Sequence, residues 1–530
     1  MKKFRRLVLL ALIPCTFALS GCFLTDILKG KQDDIVVDLP KIDVVSNLKI
    51  NLQGKKTKEL SPTLSNSSIK NPEFNFSSSN SEVATVSSNG LVEGIKVGVA
   101  NIYISLKSNT DVKATVKVTV VDEVKQHYDY TIMFYMCGSD LEYNAEEPEE
   151  QQNHYFTQDI QEILSVKDIP NTVKIIIETG GTTKWNMPGS YLEGASKISS
   201  TNLQRWEVDN GTNKLRHIET LPTNYMASES SFTEFLSWGL DDYEADQMGV
   251  VLSGHGGGIA GCAYDDNYTA KVGNQEWQRT LRTFEVANAA NAALSNSEKE
   301  KFTWIGYDCC VMQCADIATI NADYFEYMVA SQENEMATGW NHDLYLPMIK
   351  ANTKVAPELL LPEICDAFML DNHHVDEIGD DICYQTQSVL DLSKVDALVT
   401  SFNTLSAKLG TGAVGFGKAE TAFKNSLNSF GDKVFGLADF TSFMTKLKSV
   451  DPILDVAAVK TAIEDLVIYS NSCSKYKETP CGVNIFFPKS LDKKYMLQVG
   501  KEDYSNSLST KFTYWQNMCV NNGKFGWDSI

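Results

Sequence analysis

The feature that most constrains the fold is a series of four short apolar runs, each of which stops at polar or glycine residues. The runs cover residues 130–136, 173–178, 249–252 and 302–307. Segments with helical spacing alternate with them, as in residues 155–166 and 281–294. Strands that are apolar along their whole length are buried on both faces, and parallel strands joined by helices have this pattern. The sequence therefore predicts a parallel sheet that helices cover on both sides.

Reactive side chains follow two of these runs. The third run leads into His255, and the fourth leads into Asp308 and then Cys309 and Cys310. In open α/β sheets ligands bind at the carboxyl ends of the strands, where turns leave a crevice and direct backbone N–H groups into it. Right-handed crossovers would bring the two ends side by side. A thiol and an imidazole at neighbouring strand ends predict a nucleophile and its base.

The residues alone leave the choice of thiol open between Cys309 and Cys310. We expect the chain to continue as a helix through Met312 and Cys314, which would put Cys314 one turn beyond Cys310 on the same face. A thiol that is not used would be a buried packing residue. A histidine in a glycine-rich loop can also be structural, but glycines beside it let backbone N–H groups approach a substrate carbonyl.

The N-terminal residues 1–21 are typical of an export signal. A basic start precedes an apolar core that is short for a transmembrane helix, and Leu-Ser-Gly-Cys ends the segment at Cys22. This ending resembles the lipobox of bacterial lipoproteins, which implies cleavage before Cys22 and lipid on its thiol. An ordinary secretory signal is the alternative. We expect residues 22–40 to be a tether, and the protein to be lipid-anchored in the cell envelope and exposed outside the cytoplasmic membrane.

Residues 41–122 have a different pattern. Short β-rich runs alternate with Ser, Asn and Gly, and Val116, Val118 and Val120 close the segment with a period of two. This spacing predicts a small antiparallel β-sandwich. Nearly all of residues 41–122, and residues 77–102 most clearly, resemble the bacterial Ig-like domains of the Big-2 type. Such a domain is expected to act as a spacer, and binding of sugars or adhesion is the alternative.

Charge and cysteine content exclude some classes of protein. The chain of 530 residues has 47 Lys and Arg against 68 Asp and Glu, a net charge of −21, which argues against binding nucleic acid. Its 12 cysteines have no repeated spacing, so neither a disulfide framework nor a zinc motif is predicted. Cys473 and Cys481 bracket a short polar loop, and a disulfide between them is one possibility.

Six motifs in the second part of the chain resemble those of the clostripain family of cysteine peptidases, in the same order. They are Phe134-Tyr135-Met136 with Asp140-Leu141-Glu142, Thr179-Gly180-Gly181-Thr182, Ser253 to Gly258, Asp308 to Met312, Ser331-Gln332-Glu333 with Gly339-Trp340, and Gly482 to Pro488. The resemblance implies a caspase-like α/β/α sandwich, with a peptidase core at residues 126–390 and a C-terminal subdomain at residues 391–530.

The resemblance also implies a Cys-His dyad. It places the nucleophile on Cys310 and the base on His255. The imidazolium and the N-terminus of the following helix would stabilise the thiolate. The backbone amides of Gly256 and Cys310 are the expected oxyanion donors.

Members of the family cut after Arg or Lys by means of acids in the P1 pocket. Asp308 stands where one acid is expected, although it could also cap the turn. The second acid is expected just before Gly339, where this chain has Thr338. A guanidinium favours bidentate carboxylate pairing, so this departure weakens the case for strict Arg preference. We assign Asp308, Thr338 and Trp340 to substrate binding and expect a basic P1 residue.

Some family members are activated by cleavage between the histidine and the cysteine and respond to calcium. Lys271 is a possible cleavage site in that interval. No cofactor is expected to be required, calcium is possible, and no metal ligands are assigned. We expect a monomer that acts on protein or peptide substrates. The prediction is a surface-tethered cysteine endopeptidase, and the alternative is a surface-binding or adhesive lipoprotein with an idle peptidase-like fold.

Overall fold

The structure is a computed structural model. It describes residues 40–523 except 66–68, 70, 150–151, 153, 224, 273–274, 372–383, 429, 434 and 489–510. The predicted export signal and the lipidation site Cys22 lie outside the described residues. No helix in the described part of the chain is long and apolar enough to cross a membrane.

The first part of the chain is a β-sandwich with its own hydrophobic core. Its strands are β1 (Lys41–Asp43), β2 (Asn47–Asn51), β3 (Thr57–Glu59), β4 (Thr63–Ser65), β5 (Phe74–Ser78), β6 (Ala84–Val86), β7 (Leu91–Gly94), β8 (Gly98–Leu106) and β9 (Asn109–Val121). One sheet has the order β2-β9-β8-β5 and the other β3-β7-β6. Val116, Val118 and Val120 alternate into the core, which confirms the predicted sandwich.

The second part of the chain is built on a ten-stranded mixed sheet. Its strands, with those of two small pairs, are β10 (Tyr128–Cys137), β11 (Val173–Gly180), β12 (Leu192–Glu193), β13 (Gln204–Asp209), β14 (Lys214–Thr220), β15 (Ala245–Ser253), β16 (Cys262–Val272), β17 (Gln275–Leu281), β18 (Phe302–Asp308), β19 (Phe325–Ala330), β20 (Thr386–Asp391), β21 (Leu437–Asp439), β22 (Val467–Ser472) and β23 (Asn484–Phe486). The order is β12-β14-β13-β11-β10-β15-β18-β19-β20-β22. The four apolar runs form β10, β11, β15 and β18, which are parallel, and β13 and β20 add antiparallel strands on either side.

Helices flank this sheet. They are α1 (Ser139–Glu142), α2 (Tyr155–Ser165), α3 (Glu229–Asp242), α4 (Thr283–Ser295), α5 (Ala315–Asn321), α6 (His342–Ala351), α7 (Pro357–Asp371), α8 (Val395–Leu409), α9 (Ala413–Asn425), α10 (Phe440–Val450), α11 (Ala457–Leu466) and α12 (Thr513–Asn522). In α2, for example, Phe156, Ile160 and Ile163 are buried at helical spacing. One continuous core reaches from Tyr128 to Cys519, so the C-terminal segment shares the core of the sheet. The arrangement confirms the predicted caspase-like fold.

The register of β15 and β18 brings the two predicted catalytic segments together. The strands are parallel, and Ser253 pairs with Asp308. His255 and Cys310 therefore each lie two residues beyond the last pair, at the same edge of the sheet. Gly249 permits this close pairing, because a Cβ there would lie 2.2 Å from the ring of Trp304.

The β-sandwich packs against the peptidase part along α3. Lys58 and Asp241 form an ion pair at 2.7 Å, with the lysine side chain only 5% exposed. Lys49 pairs with Asp242 at 2.7 Å, and the backbone N–H of Ser46 donates to Glu234 at 2.7 Å. The two parts are therefore docked through buried and half-buried polar contacts.

Candidate active site

The loop after β15 lies directly on the turn after β18. The N–H of Gly254 donates to the carbonyl of Asp308 at 3.2 Å. At Gly256 an added Cβ would lie 2.1 Å from the carbonyl oxygen of Cys310 and 2.7 Å from its nitrogen. Only a residue without a side chain fits this approach. The glycine thus holds the His255 loop against the backbone of Cys310.

The turn after β18 differs from the predicted helix. Helix α5 begins at Ala315, and the residues before it are extended or in turns. The N–H groups of Val311 and Gln313 donate to Glu333 and Ser331 at 2.9 and 2.8 Å, and Val311 has a left-handed backbone with φ of 55°. These contacts to the chain after β19 replace helical bonds, so the predicted helix N-terminus at Cys310 is wrong.

The three neighbouring thiols have different surroundings. Cys309 is buried and its thiol donates to the carbonyl of Leu252 at 3.3 Å. Cys314 is buried at the start of α5 and donates to Asp316 at 3.4 Å, so it does not share a helical face with Cys310. Burial raises the pKa of both Cys309 and Cys314 well above its usual value. The burial and raised pKa values of Cys309 and Cys314 are typical of cysteines that only pack in a protein core.

Cys310 lies in the turn after β18, against the His255 loop and at the same edge of the sheet. The backbone N–H of Glu335 donates to its sulfur at 3.3 Å, a contact that stabilises a thiolate. Cys310 is disulfide-bonded in this structure, so its free thiol requires reduction. Cys473 and Cys481 are not joined by a disulfide, so the pairing that the sequence left open does not form.

His255 has a partner that the sequence did not reveal. Its Nε2 lies 2.5 Å from Oδ1 of Asp140, an exposed residue of α1, the short helix that follows β10. Burial lowers the pKa of His255, but the charge of Asp140 and its hydrogen bond outweigh burial and raise the pKa above its usual value. Asp140 belongs to a motif noted in the sequence, and the position of β10 beside β15 explains how it reaches the imidazole.

The predicted oxyanion donors share one small region. The N–H of Gly256 has no acceptor among the described residues, and Gly256 lies against the backbone nitrogen of Cys310. Two neighbouring amides in this region could bind an oxygen that becomes negative during attack on a carbonyl, and their role as oxyanion donors stays a prediction.

A pocket beside Cys310 contains three buried acids. Asp159, Asp308 and Glu335 line it together with Leu141 and Phe156, and we call it the carboxyl pocket. No lysine or arginine among the described residues forms an ion pair with any of the three acids. The pocket is therefore a place where a cation would be stabilised.

Burial weakens the acidity of all three groups. It raises the pKa of Asp308 to about 7, although the N–H of Trp340 donates to this carboxyl at 3.2 Å. Burial and then the charge of Asp308 raise the pKa of Glu335 well above its usual value, and burial and Asp308 do the same to Asp159. Glu335 also accepts a hydrogen bond from Gln387 at 2.5 Å. The sequence had not singled out Asp159 or Glu335.

Two other predicted site residues are not placed as expected. Thr338 is exposed and does not line the carboxyl pocket. Trp340 is fully buried; its backbone N–H donates to Asp308 at 3.2 Å, and its ring packs over Gly306. Lys271 lies in β16, paired with Glu276 of β17, and its role as a cleavage site stays a prediction.

One group of side chains among the described residues could hold a metal ion. Asp159, Asp308 and His342 each offer a ligand atom, and these atoms lie within 4.8 Å of one another. Calcium prefers six to eight oxygen ligands. A response to calcium, which the sequence leaves possible, is therefore not decided by this group of side chains.

Comparisons with known proteins agree with this geometry. The model of the clostripain family matches residues 135–525, and that of the bacterial Ig-like domain (group 2) matches residues 39–126. No curated protein matches the chain. Iotapain, a secreted C11 cysteine protease from Bacteroides thetaiotaomicron, is 17% identical with a TM-score of 0.50, over 73% of this chain and 100% of that chain. An inactive zymogen C11 protease from Parabacteroides distasonis is 18% identical with a TM-score of 0.47, over 72% and 97%.

The likeness to iotapain shows the fold. The family match covers well over half of the chain and includes both the His255 loop and the Cys310 turn. The protein therefore belongs to the clostripain family of cysteine peptidases and is a cysteine endopeptidase with an Ig-like domain before it.

Proposed function

We propose that the protein cleaves peptide bonds after basic residues by means of a Cys310–His255 dyad, while tethered to the cell surface through Cys22. One observation carries the choice of substrate. Three buried carboxyls line the pocket next to Cys310, and no lysine or arginine in the described part of the chain forms an ion pair with them. A lysine or arginine side chain at P1 would supply the missing charge.

The reaction would begin with the ion pair of the dyad. His255 takes the proton of Cys310, and Asp140 stabilises the resulting imidazolium, consistent with the raised pKa of His255. The thiolate attacks the peptide carbonyl, and the N–H groups of Gly256 and Cys310 bind the oxyanion. The imidazolium then protonates the leaving amine, and water hydrolyses the thioester.

Glu335 can take the place of the second pocket acid, which the sequence lacks at position 338. An acid was expected at position 338, where Thr338 is exposed. Glu335 lies three residues earlier and lines the carboxyl pocket with Asp308. This pair supports recognition of a basic side chain in spite of Thr338.

Surface tethering is supported by the sequence. The lipobox-like ending at Cys22 and the Ig-like domain between it and the peptidase are the features on which it rests. Growth of the source cells with a radiolabelled fatty acid tests it. We expect label on the protein and none on a Cys22→Ala variant, and equal labelling of both would contradict the anchor.

Peptide cleavage tests the catalytic assignment. In a reducing buffer, Cys310→Ala should lower kcat/KM by at least 10³-fold, while Cys309→Ala should retain most of the activity because the Cys309 thiol is buried and donates to the carbonyl of Leu252. The opposite result would show that Cys309 is the nucleophile.

A peptide series that varies only at P1 tests the substrate assignment. Arg and Lys should exceed Ala, Leu and Glu in kcat/KM by at least 100-fold, and Glu335→Gln should narrow the difference mainly through KM. Equal cleavage after neutral residues would overturn the basic preference without affecting the assignment of Cys310.

A further inference from the structure

We propose that Asp159, Asp308 and His342 form a Zn²⁺ site beside the carboxyl pocket, with which it shares Asp159 and Asp308. The three residues come from α2, from the end of β18 and from the first position of α6. Their ligand atoms lie within 4.8 Å of one another, and the side chains are between 0% and 6% exposed. Three separate elements thus deliver metal-binding groups to one buried point.

Unused atoms in this cluster support the assignment. Oδ1 of Asp159 and Nε2 of His342 are buried without any hydrogen-bond partner among the described residues. The other ring nitrogen of His342 lies 2.8 Å from the hydroxyl of Tyr345. When Nδ1 donates to that hydroxyl, Nε2 carries a lone pair, and the tyrosine fixes the ring as the outer partner of a metal-bound histidine does. Buried polar groups without partners are unfavourable unless a ligand completes them.

The ligand types favour zinc. One imidazole nitrogen and two carboxylates suit Zn²⁺, which takes four ligands and accepts a water or another group in the fourth position. Calcium would require more oxygen ligands. The carboxyl pocket also gathers Asp159, Asp308 and Glu335 without a lysine or arginine partner among the described residues, so a divalent cation would offset this charge.

The metal would occupy the place of the substrate's cation. This part rests on the proposed function, because Asp308 and its neighbours are there assigned to the basic P1 side chain. Zn²⁺ and a basic P1 residue would then exclude each other. The site would act as an inhibitory metal site in the specificity pocket, separate from the sulfur of Cys310.

Binding is tested with the full chain carrying Cys310→Ala, because a free thiol beside His255 binds zinc by itself. Equilibrium dialysis against zinc chloride should give one Zn²⁺ per chain. Asp159→Asn and His342→Gln, each added to Cys310→Ala, should raise the Kd at least tenfold. His127→Gln replaces an exposed histidine and should leave the Kd unchanged. Circular dichroism establishes that each variant is folded, and Asp159→Asn keeps the size of the side chain.

Two results would overturn the site: no zinc bound to the Cys310→Ala chain, or the same Kd in the folded Asp159→Asn and His342→Gln variants. Competition with a peptide that ends in arginine separates this proposal from the proposed function. If the peptide binds while zinc does not, the metal site is wrong and the basic pocket stands. If zinc binding depends on the ligands but the peptide neither binds nor competes, the metal site stands and the basic preference is wrong.

Discussion

Burial of the three acids in the carboxyl pocket makes their ionised forms unfavourable, so these residues reduce the stability of the folded chain at high pH and favour binding of a cation. An aspartate in an unfolded chain ionises near pH 4, whereas burial raises the pKa of Asp308 to about 7. Between these values the folded chain holds more protons than the unfolded chain. The contribution of Asp308 to the free energy of unfolding therefore falls as the pH rises through this window. Binding of a cation would remove the cost.

This gives a prediction for Asp308→Asn. The amide can still accept the N–H of Trp340 but has no charge to bury. The substitution should raise the free energy of unfolding at pH 8 on the order of 2 kcal/mol and should have little effect at pH 4. Denaturant unfolding at the two pH values measures it. Asp111→Asn, at an exposed position, is the control, and a stability of Asp308→Asn no higher than that of the wild type at pH 8 would contradict the account.

A second residue-scale prediction concerns Asp140. Its charge raises the pKa of His255, and in the proposed dyad the imidazolium would lose its proton, and with it the active form, as the pH rises. Asp140→Asn should therefore shift the alkaline limb of the kcat/KM profile to lower pH by about one unit and reduce activity about tenfold or more. Asp246→Asn, which removes an exposed acid that pairs with His127, should not move the limb. An unshifted limb in Asp140→Asn would rule out this positioning role.

At the scale of elements, the sequence predicted the strands of the site better than its turn. Apolar runs specify buried strands directly, so β15 and β18 and their shared edge could be predicted. The chain after Cys310 has apolar residues at helical spacing, but Val311 and Gln313 bond to residues of a distant segment instead. Local periodicity does not contain such long-range bonds. For the same reason Asp159 and Glu335 were missed, because only the packing of α2 and the chain after β19 brings them to Asp308.

The contact of the two catalytic loops gives a prediction for Gly256→Ala. The added methyl would overlap the backbone of Cys310, so the loops must separate. We expect a loss of kcat/KM of at least 100-fold, because small misplacements of catalytic groups have large effects. Gly417→Ala is the matched control, since nothing lies within 4 Å of its added Cβ in α9. It should leave activity unchanged and raise stability by about 0.5–1 kcal/mol. Wild-type kinetics in Gly256→Ala would contradict the described approach.

At the scale of the whole molecule, the Ig-like domain is docked to the peptidase. The sequence changes from period-two alternation to long apolar runs, and this change predicts two segments, each with its own core. Their contact could not be predicted, because the ion pair of Lys58 and Asp241 joins residues far apart in sequence. A domain fixed along α3 would set the orientation of the peptidase as well as its distance from a tether.

Lys58→Ala tests this docking. It leaves Asp241 largely buried without its cation, and breaking a buried pair in this way costs about 3–5 kcal/mol. The free energy of unfolding, measured by urea denaturation, should fall by about this amount. Lys107→Ala removes a lysine from an exposed pair with Glu73 and should cost less than about 1 kcal/mol. Equal effects of the two substitutions would mean that the contact with α3 contributes little.

The central claim is that Cys310, activated by His255 beside a pocket for basic side chains, is the nucleophile. The most direct measurement is labelling of the reduced protein with a peptide electrophile that ends in lysine, followed by fragmentation mass spectrometry of the peptide containing residues 309 and 310. We predict one adduct per chain on the sulfur of Cys310, absent in His255→Ala at the same exposure. An adduct on Cys309, or labelling that is indifferent to His255, would contradict the account.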